Sequence, residues 1–345
     1  MPILGDFKKE GKKTMLYNQL ASGIYIIHEN PEWIPPFAEA FKRAGIEFSE
    51  MMLTDGSIDI DSPPPEGVFW SRLSASSHTR NHRHSKEYGR SVLSWLESHG
   101  RKVINGSSVL ELEISKVRQY LALNRAGFRT PKTIAVFDKK DLQTRAKDLQ
   151  TPFITKHNQG GKGLGVKRFE NLGEFEEYIN SNQYEEPIDG ITLIQEYIRT
   201  KAFFITRCEF IGGKFVYAVR VDTSGGAFEL CPADACNVED MRNAKPELAG
   251  AACDIGAGDK FSLREDIDSK TPIVRRLEEF LAAHCIDIAG IEFMDSINGE
   301  LVVYDINTNT NYNGILESKL RASGKMGASD KVVQFLHEQY KTLKG

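Results

Sequence analysis

The sequence predicts a mixed α/β and α+β protein, in which a small open α/β domain precedes two further lobes of helices and strands. In the first third of the chain, short apolar segments alternate with amphipathic segments, which is typical of βαβ units. Further along, a glycine-rich segment follows a short strand that ends in lysine, and two late strands carry carboxylate and amide side chains. With 345 residues, 40% of them hydrophobic, the chain can form two or three domains with cores of their own.

The N-terminal domain is predicted over residues 15–110, after a polar leader at residues 1–14. Apolar runs bounded by turn residues are typical of strands, and apolar residues spaced three to four positions apart are typical of helices. Gly45 and Gly100 are expected to end the two predicted helices, because glycine adopts the left-handed backbone that terminates a helix. The predicted strands are 23–28, 46–52, 67–70 and 102–104, and the predicted helices are 34–44 and 88–99.

Two lobes are predicted to follow, a central one over residues 111–194 and a larger, mainly antiparallel one over residues 195–345. The central lobe begins with a single helix, 111–126, that contains Lys116. Residues 222–265 form a long insertion, which we interpret either as a substrate-binding cover or as a flexible loop with buried thiols. The remaining predicted elements are strands 133–137, 153–156, 165–169, 192–197, 205–211, 214–221, 286–293 and 300–306 and helices 139–147, 173–180 and 272–284.

The segment after strand 153–156 has the composition of a phosphate-binding loop. Glycines let the backbone approach oxyanions closely and turn its N–H groups towards them, and lysines supply positive charge. The spacing differs from the Walker pattern and from the dinucleotide-binding fingerprint. A glycine-rich hairpin between two strands is the alternative interpretation. The glycines are Gly160, Gly161, Gly163 and Gly165, and the lysines are Lys156 and Lys162.

Two adjacent strands near the end of the chain predict a metal site. Side chains alternate between the faces of a strand, so Asp305, Asn307 and Asn309 share one face, whereas Tyr304 points the other way. Glu292 joins this set from the neighbouring strand. Carboxylate and amide oxygens suit Mg²⁺ that also contacts substrate phosphates. A solvated hairpin is the alternative interpretation.

The charge and the cysteines limit the class of partner. A net charge of −4 and a pI near 6.1 argue against nucleic acid, because tracking a phosphate backbone needs a basic surface. The sequence has no apolar run of about 18 residues and no signal-peptide core, so no membrane partner is expected. Five scattered cysteines without paired spacing predict free thiols and a cytoplasmic protein. They are Cys208, Cys231, Cys236, Cys253 and Cys285.

Two further groups of residues are expected to have no catalytic role. The segment 78–84 contains three histidines, but its two interleaved arginines would repel a metal cation, so we expect a solvated loop or an anion-binding surface. Phe203 and Phe204 are expected in the core rather than stacked on a ligand.

In their order along the chain, the motifs resemble the ATP-grasp superfamily, and most closely its RimK-like carboxylate-amine ligases. The resemblance spans most of the chain and implies an ATP-grasp fold preceded by a small open α/β domain. The segments that carry it are 103–105, 115–116 and 126–133 at the entry into the fold, the phosphate loop 156–166, the interlobe hinge 195–198, and the metal strands 290–293 and 304–307.

The resemblance implies ATP and Mg²⁺ as cofactors, with Mn²⁺ as an alternative ion, and it assigns roles to particular residues. Arg207 and Arg220 also have an equal alternative as ordinary strand-surface arginines. The sequence departs from the family pattern in three places: the order of the metal carboxylates, the segment 205–207 and the Asn-rich end at 307–314. The implied phosphate ligands are Lys116, Lys156, Gly160, Gly161, Lys162 and Gly163, the adenine contacts are Gln195, Glu196, Tyr197 and Ile198, the metal ligands are Glu292, Asp305 and Asn307, and the catalytic cations are Lys156, Arg207 and Arg220.

The activity implied by the resemblance is formation of a carbon–nitrogen bond. A substrate carboxylate would attack the γ-phosphate of ATP to give an acyl phosphate and ADP, and an amine would then displace phosphate. The carboxylate and amine substrates are expected to be amino acids, peptides or small molecules. Many relatives pair as dimers or tetramers, so the resemblance leaves a homo-oligomer open. Two alternatives stay open: an ATP-grasp kinase that phosphorylates a small substrate, and a non-catalytic regulator that binds nucleotide.

Overall fold

The structure is a computed structural model, and it describes residues 15–161, 163, 165–224 and 260–345. The polar leader 1–14, Lys162 and residues 225–259 of the predicted insertion lie outside the described residues. The described residues form three sheets, of four, four and five strands. In the described part of the chain, no helix is both long enough and apolar enough to cross a membrane.

The first sheet is parallel throughout and is covered on both faces, as parallel sheets require. Its strands are β1 (Gly23–His28), β2 (Ser49–Met52), β3 (Gly67–Arg72) and β4 (Lys102–Ile104), in the order β2-β1-β3-β4. Helix α1 (Pro35–Ala44) packs on one face through Phe37 and Phe41, and α2 (Ser85–Ser98) packs on the other through Leu93 and Leu96. Gly45 ends α1 with a left-handed φ of 66°, as predicted.

The predicted helix over 111–126 is wrong, because the segment forms two helices, α3 (Ser107–Glu113) and α4 (Lys116–Arg125). Between them, Ser115 is extended, with φ −143°, and its hydroxyl accepts a hydrogen bond from the Arg118 N–H. Serine competes for backbone hydrogen bonds in this way and is therefore favoured at helix starts. The break makes Lys116 the first residue of a new helix.

The second sheet is antiparallel and carries its helices on one face. Its strands are β5 (Thr133–Val136), β6 (Phe153–His157), β7 (Lys167–Phe169) and β8 (Thr192–Glu196), in the order β5-β8-β6-β7. The helices α5 (Lys139–Ala146) and α6 (Leu172–Asn180) complete its core around Phe153, Phe169 and Phe175.

The third sheet is also antiparallel and holds the predicted metal strands side by side. Its strands are β9 (Phe204–Ile211), β10 (Lys214–Asp222), β11 (Phe261–Leu263), β12 (Ile288–Asp295) and β13 (Leu301–Asn307), in the order β11-β10-β9-β12-β13. Helix α7 (Pro272–Ala283) packs on it through Leu277 and Leu281. Two helices that the sequence analysis did not predict follow, α8 (Gly314–Ala322) and α9 (Ala328–Lys344).

The last helix returns to the first sheet. Val332, Val333 and Leu336 of α9 share a core cluster with Ile24 and Trp70 of the first sheet. The end of the chain is therefore packed into the N-terminal core. The predicted boundaries of the three domains stay predictions.

Candidate functional site

A cavity of about 510 Å³ is lined by residues of the second and third sheets and by residues that follow strands of the first sheet. Its volume is in the range of pockets that hold small ligands and cofactors. Arg220 does not line it, and Lys162 lies outside the described residues. The predicted site residues that line the cavity are Lys116, Lys156, Gly160, Gly161, Gly163, Gln195, Glu196, Tyr197, Ile198, Arg207, Glu292, Asp305 and Asn307.

Helix α4 places Lys116 against Asp305 of β13. The buried side chain of Gln119, one helical turn later, donates to the Ile306 carbonyl (2.9 Å) and accepts from the Ile306 N–H (3.2 Å). This pair of hydrogen bonds fixes the helix on the strand. Lys116 Nζ then donates to Asp305 Oδ1, and Lys156 Nζ lies 3.8 Å from the same oxygen. Two ammonium groups thus converge on one carboxylate.

The environment keeps Asp305 ionised. Burial alone would raise the pKa of Asp305, but the attraction of Lys116 and Lys156 and a hydrogen bond from Asn307 Nδ2 (2.8 Å) lower it to about 2. Burial alone would lower the pKa of Lys156, but the neighbouring Tyr120 and Asp305 raise it above its usual value. At neutral pH Asp305 is therefore ionised, and the two lysines that pair with it could instead pair with a phosphate group.

Glu292 is held by Arg207 in a buried network. Arg207 donates from Nη1 to Glu292 (2.9 Å), from Nε to Glu209 (2.6 Å) and from Nη2 to the Thr310 hydroxyl (2.6 Å). A Cβ at Gly290 would press against the guanidinium, so glycine makes room for it. Burial raises the pKa of Glu292 and of Glu209, and the attraction of Arg207 offsets this only in part. In this structure, Arg207 therefore neutralises the charge of these two carboxylates.

The prediction that Tyr304 points away from the metal residues is wrong. Glu292 pairs with Asp305, but the next residue, Phe293, pairs with Val303, so Tyr304 is an extra residue in a β-bulge. A bulge interrupts the alternation of side chains along a strand. Tyr304 therefore lines the cavity, and its hydroxyl donates to Glu292 Oε2 (2.6 Å).

The structure does not bring Arg220 to the cavity. Cross-strand partners share a face of the sheet, and Arg207 pairs with Val219, whereas Arg220 pairs with Thr206. Arg220 therefore lies on the opposite face from Arg207, exposed to solvent, with its guanidinium 4.4 Å from the centre of the Phe204 ring. Its position fits the alternative interpretation of a strand-surface arginine.

The glycine loop borders the cavity and turns sharply where the sequence has glycine. Gly163 and Gly165 have φ of 75° and 70°, in the left-handed region that glycine tolerates. At Gly165 a Cβ would also overlap the His157 ring. The following strand begins at Lys167, two residues later than predicted, because Gly165 belongs to the turn and its carbonyl accepts from the Thr155 hydroxyl (3.1 Å).

Next to the end of β8, the cavity has apolar lining and open backbone groups. The pairing of β8 ends at Glu196, and the backbone of Tyr197 and Ile198 has no backbone hydrogen-bond partner among the described residues. The Glu196 carboxylate is bound by Arg129 Nη2 (2.7 and 2.8 Å) and the Lys132 N–H (2.8 Å), so its side chain is not free for adenine. Apolar lining here comes from Pro131, Ile154, Val166, Ile198 and Met294.

Sequence reasoning missed the contribution of the first sheet to the cavity. Buried Arg72 donates to the Thr310 carbonyl and to Asn311 Oδ1, both at 2.8 Å, and it thereby fixes the Asn-rich segment. Burial lowers the pKa of Arg72 to about 9. No local pattern signals these residues, because their partners lie far away in the sequence. The additional lining residues include Trp33, Ser74, Ser76, Glu113 and Asn311.

Two expectations about neighbouring segments need correction. The segment 78–84 is not simply solvated: Arg80 Nη2 and His82 Nδ1 bind the buried carboxylate of Glu29 at 2.5 and 2.8 Å. Its anion is thus internal to the protein. Phe203 is not in the core, because 74% of it is exposed and it lines the cavity. Phe204 is half-buried beneath Arg220.

The donor set of Glu292, Asp305 and Asn307 fits Mg²⁺ or Mn²⁺ in its chemistry, because all its potential ligands are oxygen atoms. Asn309 Oδ1, two residues beyond the end of β13, is buried and has no hydrogen-bond partner among the described residues. The described residues contain no group of three or more His, Cys, Asp or Glu side chains that could hold a metal by themselves. A site with two carboxylates suits an ion that is shared with substrate phosphates.

Known proteins resemble this chain at the level of both sequence and fold. A family model described as the RimK-like ATP-grasp domain matches residues 114–252. A probable alpha-L-glutamate ligase of Aeromonas salmonicida is 26% identical over 252 residues, which are 72% of this chain and 72% of that protein. A probable alpha-L-glutamate ligase of Methanococcoides burtonii is 29% identical over 142 residues, 41% of this chain and 46% of that protein. The chain thus spans about half the length of some of its curated relatives.

Solved structures share the fold. The D-cycloserine synthetase DcsG has a TM-score of 0.62 and 15% identity, and the match covers 92% of this chain and all of that one. A RimK domain ATP-grasp protein from Sphaerobacter thermophilus has a TM-score of 0.58 and 14% identity, and the match covers 90% of this chain and 99% of that one. The predicted fold class is confirmed. The family-model match over residues 114–252, the relatives named as ligases and the shared fold together support the predicted resemblance to the RimK-like branch of the ATP-grasp superfamily.

Proposed function

We propose that this protein joins an amino acid, a peptide or another small carboxylate to an amine, through an acyl phosphate made from ATP. The observation that carries the proposal is the convergence of Lys116 and Lys156 on Asp305, beside the Glu292–Arg207 pair and under a glycine loop. A carboxylate and a triphosphate repel each other, so a site that brings them together must supply positive charge.

ATP would lie along the cavity with its adenine at the apolar end. The open backbone groups of Tyr197 and Ile198 can pair with the edge of the base, while Arg129 holds the Glu196 carboxylate away from it. Apolar side chains on either side of a base bind its faces, so hydrogen bonds at its polar edge decide that the base is adenine. The Gln195 amide donates to the Thr133 hydroxyl (2.8 Å) on the neighbouring strand, so this side chain would stabilise the sheet beside the adenine rather than bind the base.

The phosphates would lie between the glycine loop and the two lysines. Lys116 and Lys156 would turn from Asp305 to phosphate oxygens, which releases the Asp305 carboxylate. When bound, Mg²⁺ or Mn²⁺ would neutralise phosphate charge from a position held by Glu292, Asp305 and Asn307. Tyr304 and Arg207 orient Glu292 for this role.

The reaction would then proceed in two displacements. An oxygen of the substrate carboxylate attacks the γ-phosphorus, the bond to the β–γ bridging oxygen breaks, and ADP leaves. A neutral amine attacks the acyl carbon, the carbon–oxygen bond to phosphate breaks, and the amine proton leaves with phosphate or to water. The chain's residues contribute positioning, charge and exclusion of water from the acyl phosphate.

The substrate class is supported by the relatives. Curated relatives are named as alpha-L-glutamate ligases, and the ATP-grasp ligase PsnB was solved with a precursor peptide. The far wall of the cavity, with Trp33, Ser74 and Asn311, offers aromatic and neutral polar groups for such a substrate. A homo-oligomeric state, a cytoplasmic location and the absence of nucleic-acid and membrane partners stay predictions.

The test is to incubate the protein with Mg²⁺-ATP and pooled amino acids, peptides and amines, and to measure ADP release and product masses. A condensed product, lighter than its substrates by one water, establishes ligation and identifies them. Hydroxylamine should trap the acyl phosphate as a hydroxamate without any amine. A stable phosphorylated product would instead establish a kinase, and nucleotide binding without ADP release from any pool would establish a regulator.

A further inference from the structure

Lys86 of α2 reaches from the N-terminal domain to the root of the glycine loop. Only 5% of Lys86 is exposed, and its Nζ donates to Gln159 Oε1. Gln159 immediately precedes Gly160 and Gly161, which line the cavity. A helix of the first domain thus contacts the residue from which the first turn of the loop begins.

The Lys86 ammonium has unusually few partners for a buried charge. It carries three N–H donors, and within the described ranges Gln159 is its one hydrogen-bond partner and no carboxylate forms an ion pair with it. Glu87 and Asp189 attract the ammonium without forming an ion pair with it, and Asp189 is itself bound by Asn158 Nδ2 (2.6 Å). A buried, poorly paired cation costs stability, so its presence needs a role beyond folding.

A second contact brings the same two parts of the molecule together. Ser76 of the N-terminal domain lines the cavity, and a Cβ at Gly161 would lie 3.4 Å from its hydroxyl oxygen. The glycine loop therefore approaches the first domain at Gln159 and again two residues later. Contacts at two successive points define a position for the loop, which a single contact would not.

We propose that Lys86 is a positioning residue for ATP binding. From the N-terminal domain, Lys86 holds the first turn of the glycine loop in place through its hydrogen bond to Gln159. This inference rests on the proposed function, because it assumes that the loop binds phosphates. The conformation of the loop is then fixed before the nucleotide binds, so the loop loses less conformational entropy on binding. Removing the contact should weaken ATP affinity more than it slows the chemical steps.

The first test is Lys86→Met, which keeps the length of the side chain and removes its charge and donors. Calorimetry with Mg²⁺-ADP and with a non-hydrolysable ATP analogue should show affinity lowered about tenfold, the size expected for one charge-assisted hydrogen bond. The turnover rate at saturating ATP should stay within about threefold of the unmodified protein. Lys86→Arg should recover most of the affinity.

The control is Arg90→Met, on the same helix one turn later, where Arg90 pairs with Glu111 away from the loop. It should leave nucleotide affinity unchanged. If Lys86→Met does not fold, Gln159→Leu tests the same contact from the loop. A double variant that carries both substitutions should bind nucleotide no more weakly than either single variant. Multiplying effects in the double variant, or unchanged affinity in Lys86→Met, would overturn the proposal. Failure of the unmodified protein to bind nucleotide would instead overturn the proposed function.

Discussion

Asp305 is the residue on which the proposed site depends most directly. It is the shared partner of Lys116 and Lys156, and it accepts a further hydrogen bond from Asn307. Each of these contacts stabilises the ionised form, which pairs with two cations in the free protein and would, in the proposed function, help to hold the metal ion on the phosphates. An amide at this position keeps the shape but loses the charge.

We expect Asp305→Asn to reduce turnover about a thousandfold or more, because the charge acts on the transferring phosphate. The free energy of unfolding should fall by about 3 to 5 kcal/mol, because the amide leaves two buried ammonium groups without their carboxylate. The variant is compared with Asp295→Asn, which alters a carboxylate paired with Arg264 at the end of β12. Turnover by Asp305→Asn similar to that of the control would contradict the assignment.

Cys208 and Cys285 allow a pH-dependent test of burial. Burial raises the pKa of the Cys208 thiol, so this group stays protonated and unreactive well above the usual range of a cysteine, whereas Cys285 is exposed. In the native protein, iodoacetamide should therefore label Cys285 but not Cys208 between pH 7 and about 9. Peptide mapping by mass spectrometry, with a sample unfolded in urea as the reference, measures both sites. Rapid native labelling of Cys208 would show that its strand opens.

Side-chain alternation predicted the cavity-facing positions of Asp305 and Asn307, but not that of Tyr304. Alternation is a local rule, and it holds wherever the strand is regular. The bulge opposite Glu292 is set by pairing between two strands, and one strand's sequence does not contain that information. The same limit applies to Arg220, whose face depends on its register with β9.

At the scale of elements, the break between α3 and α4 aligns the site. Ser115 caps α4 and also donates from its hydroxyl to Asn158 Oδ1 (3.2 Å), while the Val117 N–H donates to the same oxygen (2.9 Å). Asn158 lies directly after β6, between Lys156 and the glycines. The start of α4 is therefore tied to the strand that carries Lys156, the proposed phosphate-binding lysine. A helix running straight through this segment would lack that connection.

Ser115→Ala should lower the free energy of unfolding by about 1 kcal/mol through loss of the cap, and it should also weaken nucleotide binding. Asn171→Ala is the matched control, because Asn171 caps α6 by accepting from the Glu174 N–H (3.0 Å) and does not line the cavity. Urea unfolding measures the first effect and calorimetry with Mg²⁺-ADP the second. We expect both variants to lose the same stability, but only Ser115→Ala to bind nucleotide more weakly. Unchanged nucleotide binding by Ser115→Ala would show that the contact between α4 and Asn158 does not align the site.

The elements of the first sheet were predicted closely, because apolar periodicity and glycine stops are strong local signals. The helix break at Ser115 was missed because an apolar pattern continues across it, and the break is favoured by the Ser115 cap together with hydrogen bonds to Asn158. Tertiary contacts decide such cases, since the helix propensity of one or two residues is worth only a few tenths of a kcal/mol.

At the scale of the whole molecule, distant segments assemble the cavity. Arg72 ties the first sheet to the Asn-rich segment, and α9 packs its apolar face into the N-terminal core. These contacts join residues from opposite ends of the chain, so neither periodicity nor motif spacing could predict them. The family resemblance predicted the order of the lobes, but the contribution of the first domain to the cavity came only with the structure.

Asn105 is the most connected of the residues that join the first and third sheets. It follows β4 in a left-handed conformation with φ 54°. Its Nδ2 donates to the carbonyls of Ile288 (2.7 Å) and Thr308 (3.1 Å), and its Oδ1 accepts from the N–H groups of Asp287 (3.0 Å) and Ile288 (3.2 Å). One buried side chain thus satisfies backbone groups at the start of β12 and the end of β13.

Asn105→Gly separates these hydrogen bonds from backbone conformation, because glycine adopts the left-handed region freely. Buried backbone groups would lose their partners, so we expect the free energy of unfolding to fall by about 3 kcal/mol or more. Asn81→Gly is the control: Asn81 is also left-handed, with φ 64°, but exposed, and its change should stay within about 0.5 kcal/mol. Thermal unfolding of both variants gives the comparison. If Asn105→Gly were as stable as the control, the contacts between the sheets would not depend on this side chain, and the apolar core and the Arg72 hydrogen bonds would hold the first domain in place.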